Sequence, residues 1–291
     1  IMATLQDYRN ERLRKRQELL DLGYNLYPSK ANRTHQADQI TAQFNELEGQ
    51  TVTVTGRITK IRKFGKIAFV VLKDFSGEVQ VFLKKDDLKL ADVAQNTIDM
   101  ATLRLLDTGD FVEAVGVVGK TQTGEISVLA QSVRLLTKSL RPLPEELTNK
   151  EERLRRRYLD INLNPEVRDR YIRRSKFWQA TRDFLNARGF IEINTSVLEH
   201  TTGGADANPF VTHMDALGED FYLRISHELP LKRLIGAGYE KVYDIGQRFR
   251  NENYSDEHLP EHVAMEWYWA YANWQDGMQM MEEMYKYVLE R

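Results

Sequence analysis

Apolar residues recur along this chain in more than one rhythm, and the changes of rhythm mark its elements. Over residues 4–22, Leu5, Tyr8, Leu13, Leu19 and Leu20 leave a ragged helical stripe that Gly23 ends. From 51 to 137 the period is two. TVTVTGRITKIRKFGKIAFVVLKDFSGEVQVFLKK alternates apolar and polar residues, with turn signals at 63–66 and 75–77. A helical stretch is expected near 86–104, after which strands resume at 110–118 and 125–136 around 119–124. Pro142 and Pro144 stiffen a linker, since each fixes its own φ and biases its predecessor away from helix. Beyond it Val167, Tyr171, Arg174, Trp178, Thr181 and Leu185 recur at helical spacing. Asn164 is a good N-cap for that helix, Pro165 suits its first position, and Gly189 ends it. Residues 190–200 read as one strand, 201–210 as a glycine-rich loop, and Glu228 lies near the start of a further helix. Residues 240–271 read as two strands joined by a polar loop over 251–261, followed by a last helix.

That strand pair separates a core face from a polar one. On the first strand Tyr243, Ile245 and Phe249 share one side, and Asp244, Gly246, Arg248 and Arg250 the other. On the second, Val263, Met265, Trp267, Trp269 and Tyr271 form a heavily apolar side opposite His262, Ala264, Glu266 and Tyr268. A face with arginines, carboxylates, an imidazole and a phenol suits a ligand bearing both signs of charge. A solvated surface hairpin is the plain alternative.

Composition narrows the field. The 291 residues suffice for two domains with separate cores. A formal charge of −2 gives no global basic field, so a nucleic-acid partner would have to be held by local patches. One candidate is the first helix, where Arg9, Arg12, Arg14, Lys15 and Arg16 crowd together, either as a solvated face or as a phosphate-binding one. The absence of cysteine excludes a disulfide scaffold and a thiolate metal site, and fits a reducing cytoplasm. No apolar run has the length of a bilayer span. Five short strands interrupted by one helix suggest an OB-fold barrel, whose exposed strand face commonly takes single-stranded nucleic acid. Such binding needs an exposed aromatic beside polar base-readers. Phe69, with Gln80 one strand later, has that placement, although most strand phenylalanines are core.

The order of residues adds a resemblance. Phe249-Arg250-Asn251-Glu252, then His258, Pro260-Glu261 and Glu266-Trp267-Tyr268, resembles motif 2 of the class II aminoacyl-tRNA synthetases, in the form found in lysyl-tRNA synthetases of subclass IIb. The spacing from Arg250 to Glu266 matches that form without insertion or deletion. The helix before Arg188-Gly189-Phe190 resembles motif 1, which pairs two subunits in that family. GRITKIRKFGKIAFVVLKDFSGEVQVFL, TGEIS and LLTKSLRPLPEE are similar to the family's anticodon-binding barrel. The implied fold is α+β: a helical extension over 1–50, an OB-fold anticodon-binding domain over 51–143, and over 144–291 a partial catalytic domain with an antiparallel sheet flanked by helices.

The resemblance also implies an activity: lysine is activated with ATP to lysyl-adenylate and transferred to the 3′ end of tRNA(Lys), in the cytoplasm, by a homodimer paired through motif 1. By this resemblance Arg250 is catalytic and binds ATP together with Glu252, His258 and His262. Lysine is held by Gly204 of the glycine pair, Glu228, Glu266 and Tyr268, and the anticodon by Arg62, Phe69, Gln80 and Glu125. Magnesium is implied as well, with its ligands beyond residue 291 and none within the chain. A third motif, ending in an arginine for the γ-phosphate, is expected there too. Ser196 departs from a motif 1 proline, Asn253-Tyr254 from a loop glycine, and His262 from a phenylalanine that stacks on adenine. Because histidine titrates near neutrality, ATP binding is expected to change between about pH 6 and 7. A buried ammonium needs a carboxylate partner, which Glu266 beside Tyr268 offers. Aspartate or asparagine specificity is the nearest rival. A non-catalytic tRNA-binding fragment and a paralogue that lysylates a protein or lipid are the others.

Overall fold

Thr4 and Asp7 cap each other reciprocally, and α1 (Leu5–Asp21) begins behind them. Gly23, at φ 91°, ends it in the left-handed conformation that side chains resist. The computed structural model describes residues 4–253, 255 and 257–291. It divides into two compact units, Ile1–Leu159 and Asp160–Arg291.

In the first unit the basic residues of α1 are largely engaged internally. Arg12 is buried and donates to the Thr108 carbonyl and to Ser139, Lys15 lies 2.6 Å from Asp107, and Arg14 pairs with Glu11 and Glu18. This corrects the phosphate-patch expectation for three of the five cations. Arg12 and Lys15 fasten the helix to the barrel instead, while Arg14 is paired within α1 itself. Fully buried Lys138 joins the same cluster, 2.6 Å from Asp107 and 2.8 Å from Asp110.

Short helices α2 (Ala37–Ala42) and α3 (Phe44–Leu47) precede the sheet strands β1 (Thr51–Phe64), β2 (Ile67–Lys73), β3 (Glu78–Lys84), β4 (Thr97–Ile98), β5 (Phe111–Lys120) and β6 (Ile126–Thr137). β1 pairs antiparallel with β2 and β5, β2 with β3, and β5 with β6, while β3 runs parallel to β6. Those five pairings close a ring, the OB-type barrel expected from the alternation. Its interior takes every second residue, among them Val52, Val54, Val70, Leu72, Val81, Leu83 and Val128.

The helix expected near 86–104 is not formed. A 3-10 turn at Thr102–Leu105 and the two residues of β4 stand there. Asp92 draws the Ala94 amide into a local turn, and Asn96 at φ 62° spends its side-chain amide on the carbonyls of Asn25 and Leu135. Short polar side chains that bind nearby backbone outcompete helix here.

The chain continues through α4 (Lys150–Arg155) and α5 (Arg157–Leu163) into α6 (Pro165–Ala187), which starts behind Asn164 as expected. The Asn164 side chain, however, binds Asp160 rather than capping the helix. Val167, Thr181, Phe184 and Leu185 are buried, whereas Tyr171 is exposed. The single strand expected over 190–200 is two pieces, β7 (Ile191–Glu192) and β8 (Leu198–Glu199). Between them Thr195 donates from its amide and hydroxyl to Asp244, and the Arg224 amide donates to the Val197 carbonyl. Distant partners take the bonds a continuous ladder would have used.

The remaining elements are β9 (Val211–Met214), β10 (Glu219–Leu223), α7 (Glu228–Gly236), β11 (Lys241–Phe249), β12 (Glu261–Trp269) and α8 (Trp274–Leu289). One sheet runs β8-β10-β9 and another β12-β11-β7, with β7 parallel to β11. Tyr243 and Ile245, with Val263, Met265, Trp267 and Trp269, form one apolar cluster with Phe184, Leu185, Met280 and Met284 of α6 and α8. Tyr271 does not share it: β12 ends at Trp269, and Tyr271, at φ 63°, is 95% exposed. Among the described residues no helix is long and apolar enough to cross a membrane.

Candidate functional site

On the barrel, Arg62 faces Phe69 across β1–β2, and Phe69 faces Phe82 across β2–β3. Gln80 faces Ser127 across β3–β6 and donates to its hydroxyl at 3.0 Å. This register turns one set of side chains outward, and Arg62, Phe69, Gln80 and Glu125 all line a single cavity of about 460 Å³. Phe69 is half-buried, with Phe64 edge-on at 6.3 Å and Phe82 at 5.2 Å. It is therefore not the core residue that strand statistics favour. A half-exposed ring beside an arginine, an amide and a carboxylate is chemically suited to an unstacked base.

In the second unit, the β11–β12 ladder pairs Asp244 with Glu266, Gly246 with Ala264 and Arg248 with His262. Directly opposed residues share a face, so the polar face read from alternation exists as such. The Arg250 amide donates to the Pro260 carbonyl, which extends the ladder one step and sets Arg250 on the same side as Arg248.

One end of this face is acidic. Glu266 accepts from the Ser226 hydroxyl at 2.9 Å, from the His227 amide at 3.3 Å and from Arg248 Nη1 at 3.1 Å. His227 Nδ1 lies 3.7 Å away, beyond hydrogen-bond reach but near enough to act through charge. Burial alone would raise the Glu266 carboxyl. The contacts from His227 and Ser226 outweigh it and hold the group down at about 2. Glu266 is therefore ionised at any physiological pH. Tyr268 is pushed upward, first by burial and then by the neighbouring carboxylates Glu228 and Glu266, so its phenol keeps its proton and remains a donor. Glu228, on the first turn of α7, already holds an ammonium: Lys232 Nζ sits 2.6 Å from its Oε1.

Gly204 closes this end. At φ 83° it takes a conformation costly to any side chain, and a Cβ there would lie 2.5 Å from Glu228 Cβ and 2.9 Å from Ser226 Oγ. Its backbone thus approaches the start of α7 as only glycine allows. Gly204→Ala is expected to cost about 2 kcal/mol or more in urea unfolding, from left-handed strain plus displacement of the loop.

The other end is basic. Arg248 Nε donates to His262 Nε2 at 2.9 Å. Arg250 Nε is buried and has no hydrogen-bond partner among the described residues. Burial, helped by Arg248 and Arg250, pushes the His262 imidazole below its ordinary value of 6.5, against a hydrogen bond to the Leu259 backbone that raises it. This corrects the window expected from an unperturbed histidine, moving it to the acid side of 6.5. Glu252 is exposed and accepts from the Asn208 amide at 3.3 Å, while exposed His258 meets Ser255 at 2.9 Å within the loop. Tyr254, one of the two loop departures, lies outside the described residues.

Residues 149–291 match the family model of the class II tRNA synthetases (D, K and N), and residues 52–136 that of the OB-fold nucleic acid binding domain. A lysine–tRNA ligase of Clostridium perfringens is 44% identical over 286 residues, covering 97% of this chain and 55% of that protein. One of Fervidobacterium nodosum is 41% identical over 295 residues, covering 99% and 56%. The chain belongs to the class II tRNA synthetases. It spans a little over half the length of the curated relatives it matches.

Several residues that support this polar face carry no signal of that role in the sequence alone. Arg248 bridges His262 and Glu266; its alternation with Arg250 was visible, but only the strand register reveals both partners. Arg224 is buried, 2.9 Å from Asp244, with its Nε on the Gln247 carbonyl. A Cβ on Gly246 would collide with its guanidinium, which gives that strand glycine its reason. No local pattern points to Arg224, because its partners come from Thr195, Asp244 and Gln247.

Proposed function

We propose that this chain carries the substrate-binding face and anticodon-binding barrel of a lysine–tRNA ligase, acting in the cytoplasm as a homodimer paired through α6 and the strand after it. The observation that carries the reading is the separation of charge along one strand face. Arg248, Arg250 and His262 gather at one end, and Glu266 and Tyr268, with Glu228 of α7 beside them, at the other. Lysine carries its ammonium on a long stem, and its activation brings a carboxylate and a phosphate together. A face with this polarity accommodates both.

Each residue then has a physical task. Glu266 accepts the side-chain ammonium with Tyr268 beside it, and Glu228 takes the α-ammonium in place of Lys232. The Gly204 backbone covers them. Arg250, whose Nε has no partner among the described residues, offers its fork to the lysine carboxylate and the α-phosphate of ATP. An oxygen of that carboxylate attacks the α-phosphorus, the bond to pyrophosphate breaks, and lysyl-adenylate results. The attacking group is already ionised, so no general base is needed; positioning and charge stabilisation do the work. Glu252 accepts from the adenine amino group, His262 stacks on the ring and His258 meets the outer phosphates. The terminal ribose hydroxyl of tRNA(Lys) then displaces AMP from the carbonyl carbon. Magnesium would serve the phosphates of ATP. Among the described residues no three carboxylate, imidazole or thiol groups gather as a metal site requires, so no step is assigned to it.

The barrel cavity would hold the uridine-rich anticodon, with Phe69 stacked on a base and Arg62, Gln80 and Glu125 reading edges. Phe69→Ala is expected to weaken binding of an anticodon stem-loop by about 1–3 kcal/mol, measured by fluorescence anisotropy at fixed salt. Because the ring is half-exposed, the barrel itself should lose little stability.

ATP–pyrophosphate exchange tests the reading. Exchange that requires lysine, and that aspartate and asparagine do not support, is the expected result. Exchange driven by aspartate or asparagine contradicts it.

A further inference from the structure

Arg248 is the one described side chain that hydrogen-bonds to both ends of the polar face. Its Nε donates to His262 Nε2 at 2.9 Å and its Nη1 to Glu266 Oε1 at 3.1 Å. We infer that His262 is a positioning residue for the ammonium site, acting through Arg248, and that this link makes affinity for a cationic amino acid depend on the protonation of His262. The inference rests on the reading of Glu266 as the partner of lysine's ammonium.

The geometry dictates the tautomer. His262 Nε2 accepts only while it carries no proton, so the ring proton belongs on Nδ1. The charged and polar groups facing the ring agree. From β11 come Arg248 and Arg250, both cations; from the loop comes the Leu259 carbonyl, which accepts from the ring; along β12 lies Glu266, reached through Arg248. Partial burial, and then the two guanidinium groups, disfavour a third positive charge here, and the imidazole is correspondingly held below its ordinary value.

When His262 does gain a proton, Nε2 turns from acceptor to donor and faces a donor. The Arg248 bond is lost and becomes a contact between two cations, so Arg248 no longer holds Glu266 in a fixed place. The same proton adds a unit charge at the far end of the Arg248 bridge, about 8 Å from the Glu266 carboxylate, so an ammonium held on the other side of that carboxylate lies about 12 Å away. Through an effective dielectric of about 20, that charge alone weakens binding of a cation about tenfold. Lysine affinity should therefore fall with acidification on the acid side of 6.5, the ordinary histidine value. Glu266, held at about 2, stays ionised throughout that window and cannot mimic the effect.

Two measurements on the intact chain test this. In ¹⁵N-histidine NMR of the ligand-free protein, with the signal assigned through His262→Phe and His262→Asn, Nδ1 should be protonated and Nε2 bare at about pH 7.5. In calorimetry from about pH 7.5 to 5, wild-type lysine affinity should drop about tenfold, while His262→Phe gives a flat profile. A protonated Nε2 at the start of the titration overturns the link, and so do superimposable wild-type and His262→Phe profiles. Either result leaves lysine binding itself standing. Failure of the wild type to bind lysine at any pH overturns the lysine reading and the link with it.

Discussion

Replacing Glu266 with glutamine is expected to raise the lysine concentration for half-saturation about a hundredfold or more, while the ATP requirement stays within about twofold. The size follows from desolvation. An ammonium taken out of water needs an ionised partner, and removing one member of such a pair costs about 3–5 kcal/mol, or about two to nearly four powers of ten. The selectivity follows from place: Glu266 lies four residues along β12 from His262, at the acidic end of the face. Glutamine keeps the size of the side chain, so the loop and strands should stay put. Equal losses for lysine and ATP would contradict the assignment.

The same variant has a stability signature. The folded carboxyl sits at about 2 against an ordinary 4.5, so the folded state prefers the ionised form. That contribution is fully present above 4.5 and is lost as pH falls toward 2; by linkage it amounts to about 3 kcal/mol. Wild type and Glu266→Gln should therefore differ most in urea unfolding at neutral pH and converge in acid.

Arg250→Ala should show the opposite balance. Lysine-dependent exchange is expected to fall about 10²- to 10³-fold, the usual loss when one preorganised donor to a developing negative charge is removed. Stability should hold or rise slightly. Arg250 Nε has no described partner, and its charge opposes protonation of both Arg248 and His262. A guanidinium that contributes to turnover and not to folding is one kept for a ligand. Unchanged exchange with a large loss of stability would make Arg250 a structural residue instead.

Much of this was legible from residue order. Gly23 and Asn164-Pro165 marked helix boundaries because backbone conformation at those points is a local matter. Alternation gave the barrel strands and both faces of the hairpin, and Arg62, Phe69, Gln80 and Glu125 do converge on one cavity. What stayed hidden depends on partners distant in sequence. Lys15 and Arg12 looked like an open basic face until Asp107, Thr108 and Ser139 claimed them. Residues 190–200 had the composition of one strand, but Asp244 and Arg224 draw Thr195 and Val197 out of it. The helix expected near 86–104 lost to side-chain-to-backbone bonds at Asp92 and Asn96. His262 read as an unperturbed imidazole because its burial and its pairing opposite Arg248 depend on the strand register.

Calorimetric titration with lysine and with norleucine, which differs only in lacking the side-chain ammonium, asks most directly whether Glu266 and Tyr268 form an ammonium site. Lysine should bind about a hundredfold or more tightly, the worth of a desolvated ion pair. Equal affinity for the two would contradict that assignment.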